Sequence, residues 1–365
     1  MLAAAPQVTP GAAPIHGWLE RSVTWATGKA DTANRGFSYE APGLSSPGLS
    51  EGTTSLTSRL KEAEKSGFKR VSRAERGDMI DVTQSFRFQS RRQTITFSVP
   101  KADYEWSAGR QMVTKPMSGE SQATLASRIW AEAAAEQHQQ STYDALCAET
   151  MRIRVSLGLG DDEYAELICS YVMQMPYDDA SAANGTRNKY PVETAVQGTG
   201  VCADKSLLLA GLLKHESFRV ALLEFAAERH MAVGLAVPEP GYRGLGLAFV
   251  ESTSQGLVGE VGESYGDGGS IVLRSTPRVT VVEPRGKMYR SLQVTQRLLE
   301  SSAAFRRAYA ELSGRLKEIP QGDVEAYNVV VGKINACVRC SKMLEDHTDD
   351  REALVAWGSG LSVPR

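Results

Sequence analysis

Apolar and polar positions begin to alternate near Asp78. In DVTQSFRFQ, Val82, Phe86 and Phe88 fall on alternate positions among polar residues, and QTITFSV follows after a short polar break. A period of two is the signature of a half-buried strand, so the pair predicts a β-hairpin. Residues 101–110 hold Tyr104 and Trp106 but follow neither period. The Ala-, Gln- and Glu-rich stretch 120–157 predicts helix. Residues 161–175 predict a clearer one: Tyr164, Leu167, Ile168, Tyr171, Val172 and Met175 recur at helical spacing, Asp161 stands at the N-cap position and Pro176 ends the run. A loop of Asp, Ala, Asn and Gly then runs to Tyr190.

The segment 198–252 has the plainest pattern. GTGVC is a glycine turn leading into DKSLLLAGLLKHES, an apolar helix carrying Leu207, Leu208, Leu209, Leu212 and Leu213. Three strand-like runs follow, FRVALLEF, HMAVGLAV and LGLAFVE. One helix followed by three antiparallel strands predicts an α+β arrangement. In the middle strand His230 shares a face with Ala232, Gly234 and Ala236, while Met231, Val233, Leu235 and Val237 point the other way. The small-residue face would let a helix N-terminus approach closely. Beyond residue 290 the pattern is helical again, with Leu298, Phe305, Tyr309, Leu312 and Leu316 on one face and a last helix over 324–345. The division read from these patterns is a loose extension at 1–55, a hairpin and helical region at 56–157, a core at 158–285 and a helical region at 286–365.

Composition narrows the class. With 42% hydrophobic and 23% charged residues the chain fits a globular protein, and its formal charge of −2 offers no global attraction to nucleic acid or anionic membrane. No apolar run reaches the ~18 residues that suggest a membrane span, and the N-terminus lacks the basic and apolar regions of a secretory signal. Five cysteines, an odd and sparse set, argue against a disulfide framework and for a reducing, cytoplasmic setting.

That setting suits a reactive thiol. Cys202 sits where a glycine turn enters a helix, so it faces the positive end of the helix dipole and backbone N–H groups without intrahelical partners. Such an environment favours the nucleophilic thiolate and supplies donors for an oxyanion. His230 opens a following strand as a candidate base, and Glu251 ends the next strand as a carboxylate able to orient the imidazole. Taken singly, each has an ordinary structural reading: a buried cysteine, a satisfied histidine, a solvated glutamate. His16, His138 and His347 lie in polar or poorly patterned surroundings, and His215 ends the Cys202 helix, where a cation suits the dipole.

The stretch YPVETAVQGTGVCADKSLLLAGLLKHESFRVALLEF, then HMAVGL and FVESTS, with VMQMPYDD upstream, resembles the transglutaminase-like superfamily over about residues 160–262. The resemblance implies a papain-like core in which the cysteine helix packs on an antiparallel sheet, here with an added N-terminal hairpin and C-terminal helices. It also implies Cys202 as nucleophile, His230 as general base and acid, and Glu251 in the place of the family's usual Asp. Glu224 and Glu228 are the alternative carboxylates, and Gln174 is a candidate oxyanion donor. The activity implied is acyl transfer through a thioester on a protein or peptide substrate, with hydrolysis favoured over amine transfer and no cofactor. The alternative is a non-catalytic interaction module on the same scaffold. Cys337 and Cys340 form one C-x-x-C without a second pair and read as helix cysteines rather than a zinc site. GESYGDGGS reads as a loop beside the site.

Overall fold

The computed structural model describes residues 68–89, 91–262, 272–320 and 323–345. The predicted hairpin forms from strands β2 (Met79–Phe88) and β3 (Arg91–Pro100), with Val82 opposite Phe97 and Phe86 opposite Gln93. Ile80, Val82, Phe86, Ile95, Phe97 and Val99 are buried, so alternation selects the inner face as expected. Gln84 occupies a position on that face and is satisfied there. Its amide donates to the Ala195 carbonyl at 2.7 Å and its oxygen accepts from the Tyr171 hydroxyl at 2.6 Å. A third strand, β1 (Lys69–Arg76), pairs antiparallel on the outer edge of β2. Its charged residues gave no alternation to read, and backbone pairing along β2 is what extends it.

The undecided stretch after β3 is a helix, α1 (Lys101–Ala108), whose Trp106 stacks on His138 with ring centroids 4.3 Å apart. The helix expected over 120–157 is two, α2 (Gln122–Ala135) and α3 (Gln140–Leu157). Gln139 explains the break. Fully buried between them, it accepts from the Val192 N–H at 2.9 Å and donates to Ser107 at 3.1 Å. Helix α4 (Asp161–Met173) matches its pattern, but Asp161 is its first helical residue and Gly160 is the cap. Glu163 reaches back to accept from the Gly160 N–H at 2.9 Å, which satisfies one of the unpaired donors of the first turn. Short helices α5 (Asp179–Asn184) and α6 (Pro191–Gln197) fill the loop region before α7 (Cys202–His215).

A second antiparallel sheet follows, with strands β4 (Val220–Phe225), β5 (His230–Ala236), β6 (Leu247–Val250) and β7 (Arg278–Glu283) in the order β6-β5-β4-β7. Leu207, Leu208, Leu209, Leu212 and Leu213 of α7 are buried, each with at most 1% exposure. Such burial contributes about 1.5–3 kcal/mol per side chain. They share a core cluster with Met231, Val233 and Leu235. The helix therefore packs on the bulky face of β5, not on the small-residue face. The small face meets Ala221, Leu223, Phe225, Leu247 and Phe249 in a separate cluster. Interlocking of large side chains holds the helix on the sheet, while Gly234 makes room for Leu247, whose Cδ1 would lie 2.9 Å from a Cβ there.

The principal cluster runs without interruption from Phe68 to Leu292, so the first sheet, the intervening helices and α7 on its sheet share one core. Helices α8 (Leu292–Glu318) and α9 (Val324–Glu345) pack through Ala308, Leu312 and Val330. The architecture is α+β with antiparallel sheets. Among the described residues no helix is long and apolar enough to cross a membrane. The loose extension at 1–55, His16, His347 and nearly all of GESYGDGGS lie outside the described residues. Cys337 and Cys340 fall within α9.

Candidate active site

The two glycines before Cys202 are needed for different reasons. Gly198 ends α6 with φ +67°, the left-handed conformation that glycine adopts without strain. Gly200 is a matter of space: a Cβ there would stand 2.8 Å from Asp204 Cβ. Asp204 then fixes the entry to α7. Its carboxylate accepts from the Val201 N–H at 3.0 Å and from the Lys189 N–H at 2.8 Å. Burial pushes its ionisation up to about 6 despite those bonds. Cys202 is the first residue of the helix and only partly buried, so its thiol is reachable at the positive end of the dipole.

His230 and Glu251 arrive from the sheet. Antiparallel pairing brings the start of β5 and the end of β6 to the same edge, and Glu251 follows β6 directly. His230 Nε2 lies 2.9 Å from Glu251 Oε2, with both residues 5% exposed. The other carboxylate oxygen, Oε1, accepts from the Thr253 N–H at 2.8 Å and its hydroxyl at 2.6 Å. The Cys202 thiol lies beside the same imidazole and interacts with it; with Nε2 on Glu251, the ring nitrogen left for sulfur is Nδ1. The Cys202 sulfur also lies 3.9 Å from the Arg229 carbonyl oxygen, and Arg229 turns into β5 with φ +53°.

Hydroxyls fasten the helix start to the sheet. Ser206 donates to the Met231 carbonyl at 3.0 Å and pairs with Ser252 at 2.9 Å, while Ser252 reaches the Cys202 carbonyl at 3.4 Å. From below, the fully buried Lys205 donates its ammonium to the carbonyls of Met173 at 3.1 Å and Met175 at 2.7 Å. Burial pulls its pKa down to about 7, against the opposing charges of Glu251 and Cys202.

Burial is the largest single influence on His230 and disfavours its charge, but bonds to Cys202 and Glu251 outweigh it and lift the imidazole from 6.5 to about 10. Burial likewise opposes ionisation of Glu251, and His230 and Thr253 together hold the carboxyl below its ordinary value. The imidazole is thus held charged between the Cys202 sulfur and the Glu251 carboxylate.

The remaining candidates are engaged elsewhere. Gln174 accepts from the Arg87 N–H at 2.9 Å and donates to the Arg87 carbonyl at 2.6 Å and the Ser170 carbonyl at 3.1 Å. Both amide hydrogens are taken, which removes it as an oxyanion donor. Glu224 pairs with Arg278 and accepts from the Trp130 indole at 3.2 Å. Glu228 accepts from the Arg274 N–H at 2.8 Å and the Ser275 N–H at 2.7 Å. A residue absent from the pattern-based candidates, Tyr177, stands beside Cys202: its backbone bridges Gly200, and its phenol lies close to the cysteine's thiol and backbone. Its signal was its position, next to Pro176 at the end of α4.

Among the described residues one further group has donors spaced for a cation. Cys147, His215 and Glu216 hold theirs within 4.8 Å of one another. They bond among themselves and to Asp144, which lies 2.7 Å from His215 Nε2.

Compared with known proteins, no family model matches the chain, and neither a curated protein nor a solved structure does.

Proposed function

We propose that the protein is a cysteine-dependent acyl-transfer enzyme of transglutaminase-like kind, with Cys202 as nucleophile, His230 as general acid and base, and Glu251 orienting the imidazole. One observation carries the reading: His230 Nε2 is fixed on a buried carboxylate at 2.9 Å while the ring lies beside a partly exposed thiol at a helix start. In this scheme the Cys202 thiolate, whose proton is carried by His230, attacks a peptide or Gln carboxamide carbonyl, and the C–S bond forms as the carbonyl π pair moves onto oxygen. His230 gives its proton to the departing amine or ammonia. A second nucleophile then gives its proton to the now neutral His230 and adds to the thioester carbon, and the C–S bond breaks to release the acyl group and restore the thiolate beside protonated His230. Water as that nucleophile makes the enzyme a peptidase or deamidase, and an amine makes it a transglutaminase. Water requires no dedicated site, which favours hydrolysis.

The test is to incubate wild type and Cys202→Ala with a cell lysate and a labelled primary amine. Wild-type-dependent new N-termini, or Gln deamidation, support hydrolysis; amine incorporation supports transfer. Identical peptide profiles for both proteins would leave the scaffold as an interaction module.

A further inference from the structure

An attacked carbonyl develops negative charge on its oxygen, and with Gln174 committed to Arg87 the site needs another side-chain donor beside the Cys202 N–H. As the first residue of α7, Cys202 has a backbone N–H without an intrahelical acceptor. The polar side chain carried past it by the backbone bridge to Gly200 is Tyr177, whose phenol lies near enough to the thiol for the two to interact.

The phenol is held there from both sides of the cysteine. Tyr177 forms a parallel bridge with Gly200, Asp178 N–H donates to the Gly200 carbonyl at 3.2 Å, and Thr199 Oγ1 donates to the Pro176 carbonyl at 3.0 Å. On the other side of Cys202, the Lys205 ammonium grips the Met175 carbonyl at 2.7 Å. The segment carrying the tyrosine is therefore registered against residues two before and three after the nucleophile. Burial holds the phenol protonated, with the nearby thiol acting in the same direction, so it retains a hydrogen to donate. Tyr177 nevertheless remains 39% exposed, open to an incoming substrate.

We propose that Tyr177 is the side-chain oxyanion donor of this site: held beside Cys202 by the bridge to Gly200, its hydroxyl donates together with the Cys202 N–H to the substrate oxygen when sulfur attacks. The inference rests on the acyl-transfer reading above. In the step concerned, the sulfur lone pair forms the C–S bond and the carbonyl π pair moves onto oxygen. Tyr177 stabilises that charge by hydrogen bonding without transferring its proton. Collapse returns the pair and expels the leaving group.

Two reagents separate this role from any effect on the thiol. Acylation by p-nitrophenyl acetate passes through an oxyanion, whereas alkylation by iodoacetamide is a direct displacement at carbon without one. Tyr177→Phe should slow the acylation burst by about 10²-fold, the loss typical of one oxyanion donor, and leave the Cys202 alkylation rate within about twofold. Ring and burial are kept in this variant, and an unchanged thermal midpoint verifies its fold. Tyr177→Leu, checked in the same way, should show the same separation. Equal losses in both reactions would make Tyr177 a partner of the thiol instead, and unchanged or faster acylation would make it a bystander or an occluding group. Either result overturns the inference while the acyl-transfer reading stands. Wild-type protein that is neither acylated nor selectively alkylated at Cys202 would overturn both.

Discussion

Helix α7 has a cysteine, a histidine and a glutamate gathered at each of its ends, Cys202–His230–Glu251 at the start and Cys147–His215–Glu216 at the finish. Composition does not separate the clusters, and environment does. At the start, sulfur stands at the positive end of the helix dipole and is partly exposed. At the finish, Cys147 is 2% exposed on α3, and burial followed by the charge of Glu216 pushes its thiol ionisation up. The dipole reverses as well: the last turn favours a cation such as His215 and opposes a thiolate. The imidazoles differ in the same sense. His230 is enclosed between two partners, whereas the Asp144 partner of His215 is 71% exposed. A Cys/His/Glu set becomes a candidate for catalysis through where its thiol lies, and the far cluster is the control built into the same helix.

The comparison breaks most visibly in thiol reactivity. Near neutral pH, iodoacetamide should label Cys202 at least about 100-fold faster than Cys147, because reactivity follows thiolate character and access. His230→Ala should remove about tenfold or more of that advantage, and His215→Ala none; peptide mapping over time gives both rates. Comparable labelling of the two cysteines would erase the distinction.

Replacing each glutamate sharpens it. Glu251→Gln should lower turnover by about 10²-fold through loss of imidazole orientation, and Glu216→Gln by less than twofold. Stability carries a pH signature. The raised His230 pKa contributes stability that is complete below its ordinary 6.5 and is lost as pH rises through about 10. The lowered Glu251 pKa contributes stability present above its ordinary 4.5 and lost as pH falls through the folded value. The gap between wild type and Glu251→Gln should therefore be widest between pH 4.5 and 6.5, on the order of 3 kcal/mol, and should narrow on either side. Denaturant titrations across the range would show it, and a flat gap would contradict the assignment.

The smallest effect belongs to the exposed pair. His215→Asn should cost under about 1 kcal/mol, since solvent screens its contact with Asp144, and should leave Cys202 labelling unchanged. A larger loss in urea denaturation would mean that the far cluster secures α7 as well.

How much of this the chain disclosed in advance depended on whether the deciding contact was local. Cys202, His230 and Glu251 could be read because each stands at the boundary of a strongly patterned element, and antiparallel order brings those boundaries together. The helix over 324–345 and the hairpin were legible for the same reason. Strand β1 was not, because its identity comes from the edge of β2 rather than from its own residues. The break at Gln139 depended on partners in α1 and α6. Gln174 was misread because Arg87 lies 87 residues away in sequence, and the face of β5 was misread because side-chain size alone does not say which neighbour each face will meet. Tyr177 is an unremarkable loop tyrosine until Gly200 and Lys205 register it against the cysteine.

The strand order has a practical corollary. His230 begins β5 and Glu251 follows β6, so the connection at 237–246 lies at the opposite edge of the sheet. Gly244 and Leu245 are exposed there. A reporter peptide or affinity handle could be spliced into that tip without moving the imidazole or the carboxylate. The turn at 226–229 offers no such freedom, since each added residue would displace His230. The two bends of this meander thus divide into one open to engineering and one closed to it.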